Sequence, residues 1–173
     1  MSEQNKVQWV YSSNGNDELA SRYDQWSDTY DVDLEQDFYW NGHIRSVEVF
    51  VKFVSPESNI MDVGCGTGLV GGQLVSKGFN HIHGFDMSQG MLARAHSRGI
   101  YGNLKIGTLG ESLDYPTNSY EAAIAAGVFS VGHAPASGWD ELARIVRPGG
   151  YLVLTLRPDI FKSAGFSAKE NAL

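Results

Sequence analysis

A glycine-rich segment at positions 62–68, with the sequence DVGCGTG, is the part of this chain best suited to hold a ligand. It follows a short apolar run, so it begins where a strand is expected to end. Glycines at alternate positions, Gly64, Gly66 and Gly68, allow a sharp turn and let a ligand lie against bare main chain. Residues 64–68, called the glycine loop below, are therefore predicted to form a binding loop.

The residues around the glycine loop argue against phosphate ligands. A dinucleotide fingerprint, G-x-G-x-x-G, would need a glycine where this chain has Leu69, and a phosphate-binding P-loop would need a lysine that is absent here. An NAD-linked oxidoreductase is disfavoured for the first reason. Asp62, two positions before the first glycine, suits a positively charged amino group better than a polyanion.

A second acidic residue, Asp86, lies at the end of the next predicted strand, 22 positions after Gly64. A carboxylate at that place accepts hydrogen bonds from two ribose hydroxyls. Asp62 and Asp86 together predict a nucleoside ligand with a cationic, amino-acid-like tail. S-adenosylmethionine has that shape.

The elements that must position these residues alternate along the chain. Predicted strands lie at 60–63, 81–85, 104–106, 120–126 and 151–156, and predicted helices at 69–77, 88–98 and 139–146, the last closed by the PGG sequence at 148–150. Such alternation with short links predicts an α/β fold with a doubly wound, mostly parallel sheet. Ligands bind such sheets beyond the carboxyl ends of the strands, where the glycine loop, Asp86, Thr108 and Gly127 all fall.

The amino-terminal part has a different composition. Residues 1–17 are polar and are expected to be frayed, residues 17–40 are aromatic and acidic, and a helix is predicted from Asn41 or Gly42 to just before Pro56. We divide the chain into an amino-terminal helical lid and cap segment, 1–57, and a cofactor-binding domain, 58–173, truncated at its carboxyl end. Residues 1–40 are expected to become ordered when the cofactor binds.

The glycine-rich segment resembles motif I of the class I S-adenosylmethionine-dependent methyltransferases. The resemblance continues through GFDMS at 84–88, GVF at 127–129 and RPGGY at 147–151, and covers roughly residues 58–157 in the right order. YDQW at 23–26, the pair Tyr30 and Asp31, and GVFSVGH at 127–133 are similar to the methyltransferase-like proteins of the Williams–Beuren region. The resemblance does not supply the substrate of that subfamily.

The resemblance implies S-adenosylmethionine as cofactor, S-adenosylhomocysteine as product, and a set of contacts. Asp62 would reach the methionine amino group, Asp86 the ribose and Met87 the adenine, while Tyr30 would close over the methionine end. The full set is Tyr30, Asp62, Gly64, Cys65, Gly66, Gly68, Asp86, Met87, Thr108, Leu109 and Gly127. Within it, Cys65 is expected to be a small filler rather than a reactive thiol, because no base is visible beside it.

Thr108 departs from the family pattern. Many relatives have an aspartate there, which receives the adenine amino group, whereas threonine is a shorter, uncharged acceptor. The Leu109 amide can still reach an adenine ring nitrogen. Losing one charged hydrogen bond weakens binding by ~1.5–3 kcal/mol, so the departure bears on affinity and does not exclude binding.

Methyl transfer needs alignment and a dry site more than it needs a strong base. If a proton must leave the acceptor, His133 is the candidate catalytic base, because it follows the fourth strand, where the acceptor should lie. A lone histidine in a loop is more often structural or solvated than catalytic. The chain lacks the Asn-Pro-Pro-Tyr-type tetrad of many amino-directed methyltransferases. His81 and His83 are expected to lie at the surface, and no metal site is expected.

The composition of the chain limits the classes of partner that it can bind. The net charge of −7 argues against nucleic acid, and the longest apolar stretch is too short to span a membrane. One cysteine excludes an internal disulfide and favours a soluble intracellular protein, cytoplasmic with the nucleus not excluded. A small-molecule acceptor is favoured and a protein acceptor stays open. The alternative function is a methyltransferase-like module that binds the adenosyl cofactor or partners without turnover.

The carboxyl end raises a separate expectation. The resemblance implies seven strands in the order 3-2-1-4-5-7-6, but no strand pattern follows Arg157, so strands 6 and 7 are expected to be missing. Strand 5 would then be an apolar edge, open to self-association. We expect a fragment or shortened variant of a longer protein, or pairing through that edge, with poor solubility or oligomers and weak or absent turnover.

Overall fold

A five-stranded sheet lies at the centre of the computed structural model, which describes residues 5–36 and 38–172. Its strands are β1 (Ile60–Val63), β2 (Ile82–Asp86), β3 (Asn103–Ile106), β4 (Tyr120–Phe129) and β5 (Val146–Leu156). They lie in the order β3-β2-β1-β4-β5, and each neighbouring pair is parallel. The predicted α/β class and the predicted order of the first five strands are confirmed.

Nine helices are found in the described parts of the chain. Four precede the sheet: α1 (Lys6–Tyr11), α2 (Asn16–Trp26), α3 (Tyr30–Gln36) and α4 (Gly42–Phe50). Three connect strands: α5 (Leu69–Ser76), α6 (Gln89–Ser97) and α7 (Gly138–Ile145). Two follow β5: α8 (Pro158–Phe161) and α9 (Phe166–Glu170). Between 158 and 172 the structure contains no further strand.

Local signals in the sequence explain several of these boundaries. The Ser88 side chain caps α6 by accepting a hydrogen bond of 3.1 Å from the Met91 amide. Gly78 and Gly99 follow α5 and α6 with left-handed φ values of 91° and 65°, a conformation that favours glycine at helix ends.

The carboxyl-terminal end of the sheet departs from prediction in one respect. The helix expected to run to Val146 and close at the PGG sequence ends at Ile145, and residues 148–150 lie within β5. Val146 already pairs with Tyr120, and a register shift precedes the pairing of Tyr151 with Ala122. The glycines therefore accommodate an irregularity in a strand, with Gly149 at φ 77°, and do not stop a helix.

Two buried clusters cover the two faces of the sheet. On one face, α4 and α5 pack through Val47, Phe50 and Leu74 against Ile60 and Ile124. On the other face, α7 to α9 pack against the sheet, with Trp139, Leu142 and Phe166 among the buried side chains. Helix α4 thus takes part in the sheet's own core. The division of the chain at residues 57 and 58 stays a prediction.

A third cluster is formed by the amino-terminal helices. Val10, Leu19, Trp26 and Leu34 are buried together, and Val10 is only 1% exposed. The expectation that residues 1–17 are frayed is wrong for residues 5–17, because Val10 on α1 is buried in this cluster and Val7, Trp9 and Tyr11 pack against it. Residues 1–4 lie outside the described residues. None of the described helices is both long and apolar enough to cross a membrane.

Candidate active site

A cleft of about 700 Å³, including its open mouth, lies where β1, β2 and β4 approach their carboxyl ends. The described residues that line it are Asn16, Leu19, Tyr23, Tyr30, Gly64, Gly66, Phe85, Asp86, Met87, Met91, Gly107, Thr108, Leu109, Ala126, Gly127, Val128, His133 and Ala134. Most of the predicted site residues therefore lie around one space. Parallel strand register explains this, because β1 and β2 end side by side with Val63 opposite Phe85.

A smaller cleft of about 300 Å³ adjoins the first and shares Tyr30, Gly64, Gly66 and Ala126 with it. Cys65 lines this second cleft, together with Trp40, His43, Thr67, Leu69, Val70 and Ala126. Two predicted contacts, Asp62 and Gly68, line neither cleft. A Cβ atom added to Gly68 would approach the Arg98 side chain at 2.9 Å, so this glycine makes room for Arg98, which follows α6.

The glycine loop is fixed by Asp86. The amide of Gly66 donates to Oδ2 of Asp86 at 2.8 Å, and the amide of Ser88 donates to Oδ1 at 2.9 Å. Burial raises the pKa of Asp86, although these backbone amides act in the opposite direction. Each carboxylate oxygen keeps a second lone pair, so Asp86 can hold the loop and still accept from a ligand at the cleft wall.

Gly64 and Gly66 have different surroundings. Both have left-handed φ values, 58° and 54°. A Cβ atom on Gly64 would lie 2.6 Å from the Val128 side chain, whereas a Cβ atom on Gly66 would meet no protein atom within 4 Å. Gly64 thus allows the loop to pack on β4, and Gly66 keeps open a space that a ligand can enter.

Asp62 lies under the loop and is only 1% exposed. The hydroxyl group of Tyr101 donates to its Oδ2 at 2.7 Å, while Oδ1 is buried and has no hydrogen-bond partner among the described residues. Burial raises the pKa of Asp62 to about 7. An ionised carboxylate suits an ammonium group, but Asp62 lines neither cleft, so its contact with the cofactor's methionine end stays a prediction.

Cys65 is buried, and burial raises the pKa of its thiol well above the ordinary value. Its sulfur would lie 3.1 Å from a Cβ atom at Gly84, so the side chain fills space between the loop and β2. A thiol of raised pKa is a poor nucleophile, which agrees with the expected role of filler.

Helix α2 is held over the cleft by Asp24. Its Oδ1 accepts from the Ser88 hydroxyl at 2.6 Å and from the Gly90 amide at 2.8 Å. A Cβ atom on Gly90 would lie 2.9 Å from Cα of Asp24, so only glycine permits this close approach. Sequence analysis noted the Tyr23-Asp24 pair within a motif but gave Asp24 no role.

Helix α3 is held by Asp31. One carboxylate oxygen accepts from Arg98 at 2.7 Å, and the other accepts from the Thr67 hydroxyl in the glycine loop. These contacts place Tyr30 at the wall shared by both clefts. They join the amino-terminal segment directly to the loop, as the predicted lid requires.

His133 faces Tyr23 across the cleft mouth. The Tyr23 hydroxyl lies 2.7 Å from Nε2 of His133, and Nδ1 lies 3.0 Å from the Val131 carbonyl oxygen. Desolvation lowers the pKa of His133, so the imidazole is neutral at neutral pH. Sequence analysis predicted His133 but missed Tyr23, along with Asn16 and Leu19, because no local pattern shows which α2 residues reach β4.

Thr108 lies in the cleft wall, next to the buried Leu109. The Glu111 amide donates to its carbonyl oxygen at 3.2 Å, which turns the chain after β3. The threonine occupies the place where the resemblance predicts an adenine contact. Its effect on affinity stays a prediction, as do the individual contact roles of the other site residues.

Within residues 5–36 and 38–172, no group of three or more histidine, cysteine, aspartate or glutamate side chains is placed to hold a metal ion. His83 instead bonds through Nδ1 to the Tyr120 hydroxyl at 3.0 Å, while His81 is exposed.

Comparison with known proteins identifies the family of this chain. A family model described as "Methyltransferase domain" matches residues 61–154. Human methyltransferase-like protein 27 is 36% identical over 154 residues, which cover 86% of this chain and 62% of that protein. The 18S rRNA (guanine(1575)-N(7))-methyltransferase of Saccharomyces cerevisiae is 38% identical over 72 residues, 42% of this chain and 26% of the relative.

A crystal structure of a putative S-adenosyl-L-methionine-dependent methyltransferase from Methanococcus maripaludis has the same fold. It superposes with a TM-score of 0.58 at 17% identity and covers 99% of this chain and 75% of its own. The matched part of this chain covers less than two thirds of the length of the human relative and of the yeast relative. The family model and the human relative nevertheless confirm the resemblance, and this chain belongs to the class I S-adenosylmethionine-dependent methyltransferases.

Proposed function

We propose that the protein transfers a methyl group from S-adenosylmethionine, the cofactor of its family, to a small-molecule acceptor. The observation that carries this proposal is the position of Asp86. Its carboxylate accepts a hydrogen bond from the Gly66 amide in the glycine loop, and it lines the cleft at the end of β2. A carboxylate in that place accepts from ribose hydroxyls, and the bare backbone beside it leaves room for the rest of the cofactor.

The chain's own residues would hold the cofactor in a defined way. Asp86 would accept from the ribose, Met87 and Leu109 would pack against the adenine, and Oδ1 of Asp62 would receive the methionine ammonium group. When bound, the cofactor supplies a methyl group already activated by its sulfonium. Tyr23 and Tyr30, held over the cleft by α2 and α3, would exclude water from the site.

The walls of the cleft favour a small and uncharged acceptor. Asp86 is the one charged side chain among the described residues that line it, and no lysine or arginine lines it. With a net charge of −7, the chain also offers little attraction to a nucleic acid. The yeast relative is named for methylation of rRNA, so that class of acceptor belongs in the test. A cytoplasmic location remains a prediction from composition.

Calorimetry with S-adenosylhomocysteine, S-adenosylmethionine and NAD tests the cofactor. We expect S-adenosylhomocysteine to bind in the micromolar range and NAD not to bind. Asp86→Ala should weaken S-adenosylhomocysteine by about 1.5–3 kcal/mol, because two ribose hydroxyls lose a charged acceptor. Asp114→Ala, which removes an exposed carboxylate paired with Lys105 outside the cleft, is the control. Wild-type affinity in Asp86→Ala would exclude this site.

Tritiated S-adenosylmethionine tests the acceptor class. The protein is incubated separately with purified rRNA, with total cell protein and with a metabolite extract, and label in each fraction is counted. We expect label in the metabolite fraction. Label confined to rRNA or to protein would show that the small-molecule part of the proposal is wrong while leaving cofactor binding intact.

A further inference from the structure

The hydrogen bonds of His133 define which nitrogen carries its proton. The Val131 carbonyl oxygen can only accept, so Nδ1, 3.0 Å away, must donate to it. In the neutral imidazole, Nε2 then has a free lone pair. The Tyr23 hydroxyl, 2.7 Å from Nε2, is therefore the donor in that contact.

The charge states of both groups agree with this arrangement. Desolvation lowers the pKa of His133, and burial raises the pKa of Tyr23, so both are neutral near pH 7. The titratable groups that face the pair are Tyr11, whose ring centroid is 5.0 Å from that of His133, Tyr30 and Asp86. The negative charge of Asp86 acts on Tyr23 in the same direction as burial.

The pair also lies in the right place to meet an acceptor. Tyr23 and His133 both line the larger cleft, the space in which the cofactor is proposed to bind. The Tyr23 oxygen donates its one proton to His133 and keeps lone pairs that can accept from another hydroxyl.

We propose that Tyr23 and His133 form a proton relay that allows this site to methylate an uncharged hydroxyl group. The proposal rests on the methyl transfer proposed above. The acceptor hydroxyl gives its proton to Oη of Tyr23 while Tyr23 passes its own proton to Nε2 of His133. The electron pair of the broken O–H bond forms the new bond to the methyl carbon, and the electron pair of the broken C–S bond returns to sulfur.

The products of this step balance. One methyl ether, S-adenosylhomocysteine and one imidazolium ion form, and Nδ1 of His133 still donates to Val131. The proton then leaves to water at the cleft mouth. The next acceptor meets the pair in its original state.

A relay of this kind is needed for hydroxyl groups in particular. A thiol ionises near pH 8.5, and a neutral amine attacks through its own lone pair, whereas a phenol-type hydroxyl keeps its proton to about pH 10. The hydroxyl therefore requires a base at the moment of attack. A neutral imidazole linked to the cleft through a tyrosine supplies that base without placing a charge in the wall.

Two phenols of different acidity test the relay. 4-Methylphenol is protonated at pH 8, whereas 4-nitrophenol is largely ionised and needs no base. We expect Tyr23→Phe and His133→Asn to lower kcat for 4-methylphenol roughly 100-fold, with KM little changed, and to lower kcat for 4-nitrophenol less than threefold. The affinity for S-adenosylhomocysteine, measured by calorimetry, should not change in either variant.

A matched control is available in the same chain. Tyr120 and His83 form a second tyrosine–histidine pair outside the cleft, with Nδ1 of His83 3.0 Å from the Tyr120 hydroxyl. Tyr120→Phe removes one such hydrogen bond and should leave both phenols unaffected. Thiophenol and aniline serve as the thiol and amine probes, and because neither needs a base, Tyr23→Phe and His133→Asn should lower their kcat less than threefold, as for 4-nitrophenol.

Several results would overturn the relay. Equal losses of kcat for the two phenols would make Tyr23 a positioning residue only. Preference for thiophenol or aniline would show that the acceptor class is wrong. If S-adenosylhomocysteine binds but neither phenol is methylated, the relay is rejected and the cofactor site stands. If S-adenosylhomocysteine does not bind, the proposed function itself fails.

Discussion

The hydroxyl group of Tyr101 donates a hydrogen bond of 2.7 Å to Oδ2 of Asp62 directly beneath the glycine loop. That bond favours the ionised carboxylate, but burial acts more strongly and raises the pKa of Asp62 to about 7. Glycine at position 71 makes the contact possible, because a Cβ atom there would collide with the Tyr101 hydroxyl. Asp62 is therefore a buried carboxyl group that carries a proton over much of the acidic range.

The raised pKa of Asp62 predicts a stability that falls as pH rises. In the unfolded chain Asp62 titrates near pH 3.9, and in the folded chain at about 7. Between these values the folded state binds more protons, so the free energy of unfolding decreases from about pH 4 to about pH 7. Asp62→Asn should flatten this slope and raise the melting temperature at pH 8 in the absence of cofactor. Thermal melts across that range measure the difference.

Asp86 also has a raised pKa and contributes a slope of the same sign. It is present in both proteins, so the comparison of wild type with Asp62→Asn isolates Asp62. Identical pH profiles would mean that Asp62 is ionised in the folded chain. It would then not be the proton-carrying group inferred here.

Gly66 and Gly99 provide a matched pair for testing the space over the glycine loop. Both have left-handed φ values, 54° and 65°, and a Cβ atom at either would meet no protein atom within 4 Å. Valine should therefore cost a similar backbone strain of roughly 1–2 kcal/mol at each position. Only Gly66 lines the cleft. We expect Gly66→Val to abolish S-adenosylhomocysteine binding and Gly99→Val to retain it.

Thermal melts measure the backbone strain that each valine introduces, and calorimetry measures whether it obstructs ligand binding. Similar losses of melting temperature with different affinities would support a ligand path over Gly66. Binding within threefold of wild type in Gly66→Val would place the cofactor elsewhere.

The parts of the site that sequence predicted are those set by local signals. Glycines that permit left-handed turns, a carboxylate at a strand end and the Ser88 cap can each be recognised within a few residues. Parallel register then brings them together without further information, because Asp62 lies opposite Gly84 and the ends of β1 and β2 coincide. For this reason the sequence alone predicts that Gly64, Gly66 and Asp86 lie close together, and the structure places all three in one cleft.

Contacts between distant segments could not be predicted in this way. Tyr23 and His133 are 110 positions apart, and Asp24 and Gly90 are 66 apart. No residue near each partner in the sequence indicates that it makes such a contact. The same reason accounts for the wrong expectation about α1, because Val10 is buried against Leu19 and Trp26 of α2, a contact that its own short segment does not show.

Asp24 is expected to control the order of the lid. Asp24→Ala removes the acceptor for both the Ser88 hydroxyl and the Gly90 amide, at a cost of about 1 kcal/mol for each hydrogen bond. Amide hydrogen exchange in α2 should become faster, and S-adenosylhomocysteine should slow exchange across residues 23–30 in the wild type. Gln25→Ala is the control, since Gln25 bonds only to Ser21 within the same helix. Equal exchange with and without ligand would remove the lid role.

The edge of β5 leads to the last prediction. Among the described residues, β5 pairs with β4 alone, so its other side presents backbone groups that can accept another strand. Exposed apolar side chains lie beside it: Tyr151 is 46% exposed and its ring centroid is 5.7 Å from that of Phe53, which is 56% exposed. We propose that two copies of the chain associate through this edge.

Light scattering over a range of concentrations tests the association. We expect the wild type to form dimers or larger species as concentration rises, and Tyr151→Lys to shift it toward monomer, because a charged side chain on an edge strand opposes pairing. Ile106→Lys is the matched control: Ile106 is 54% exposed and lies on β3, the opposite edge of the same sheet. A wild-type monomer at high concentration would contradict the proposal. If only Ile106→Lys shifts the oligomers toward monomer, the contact lies at β3 and not at β5.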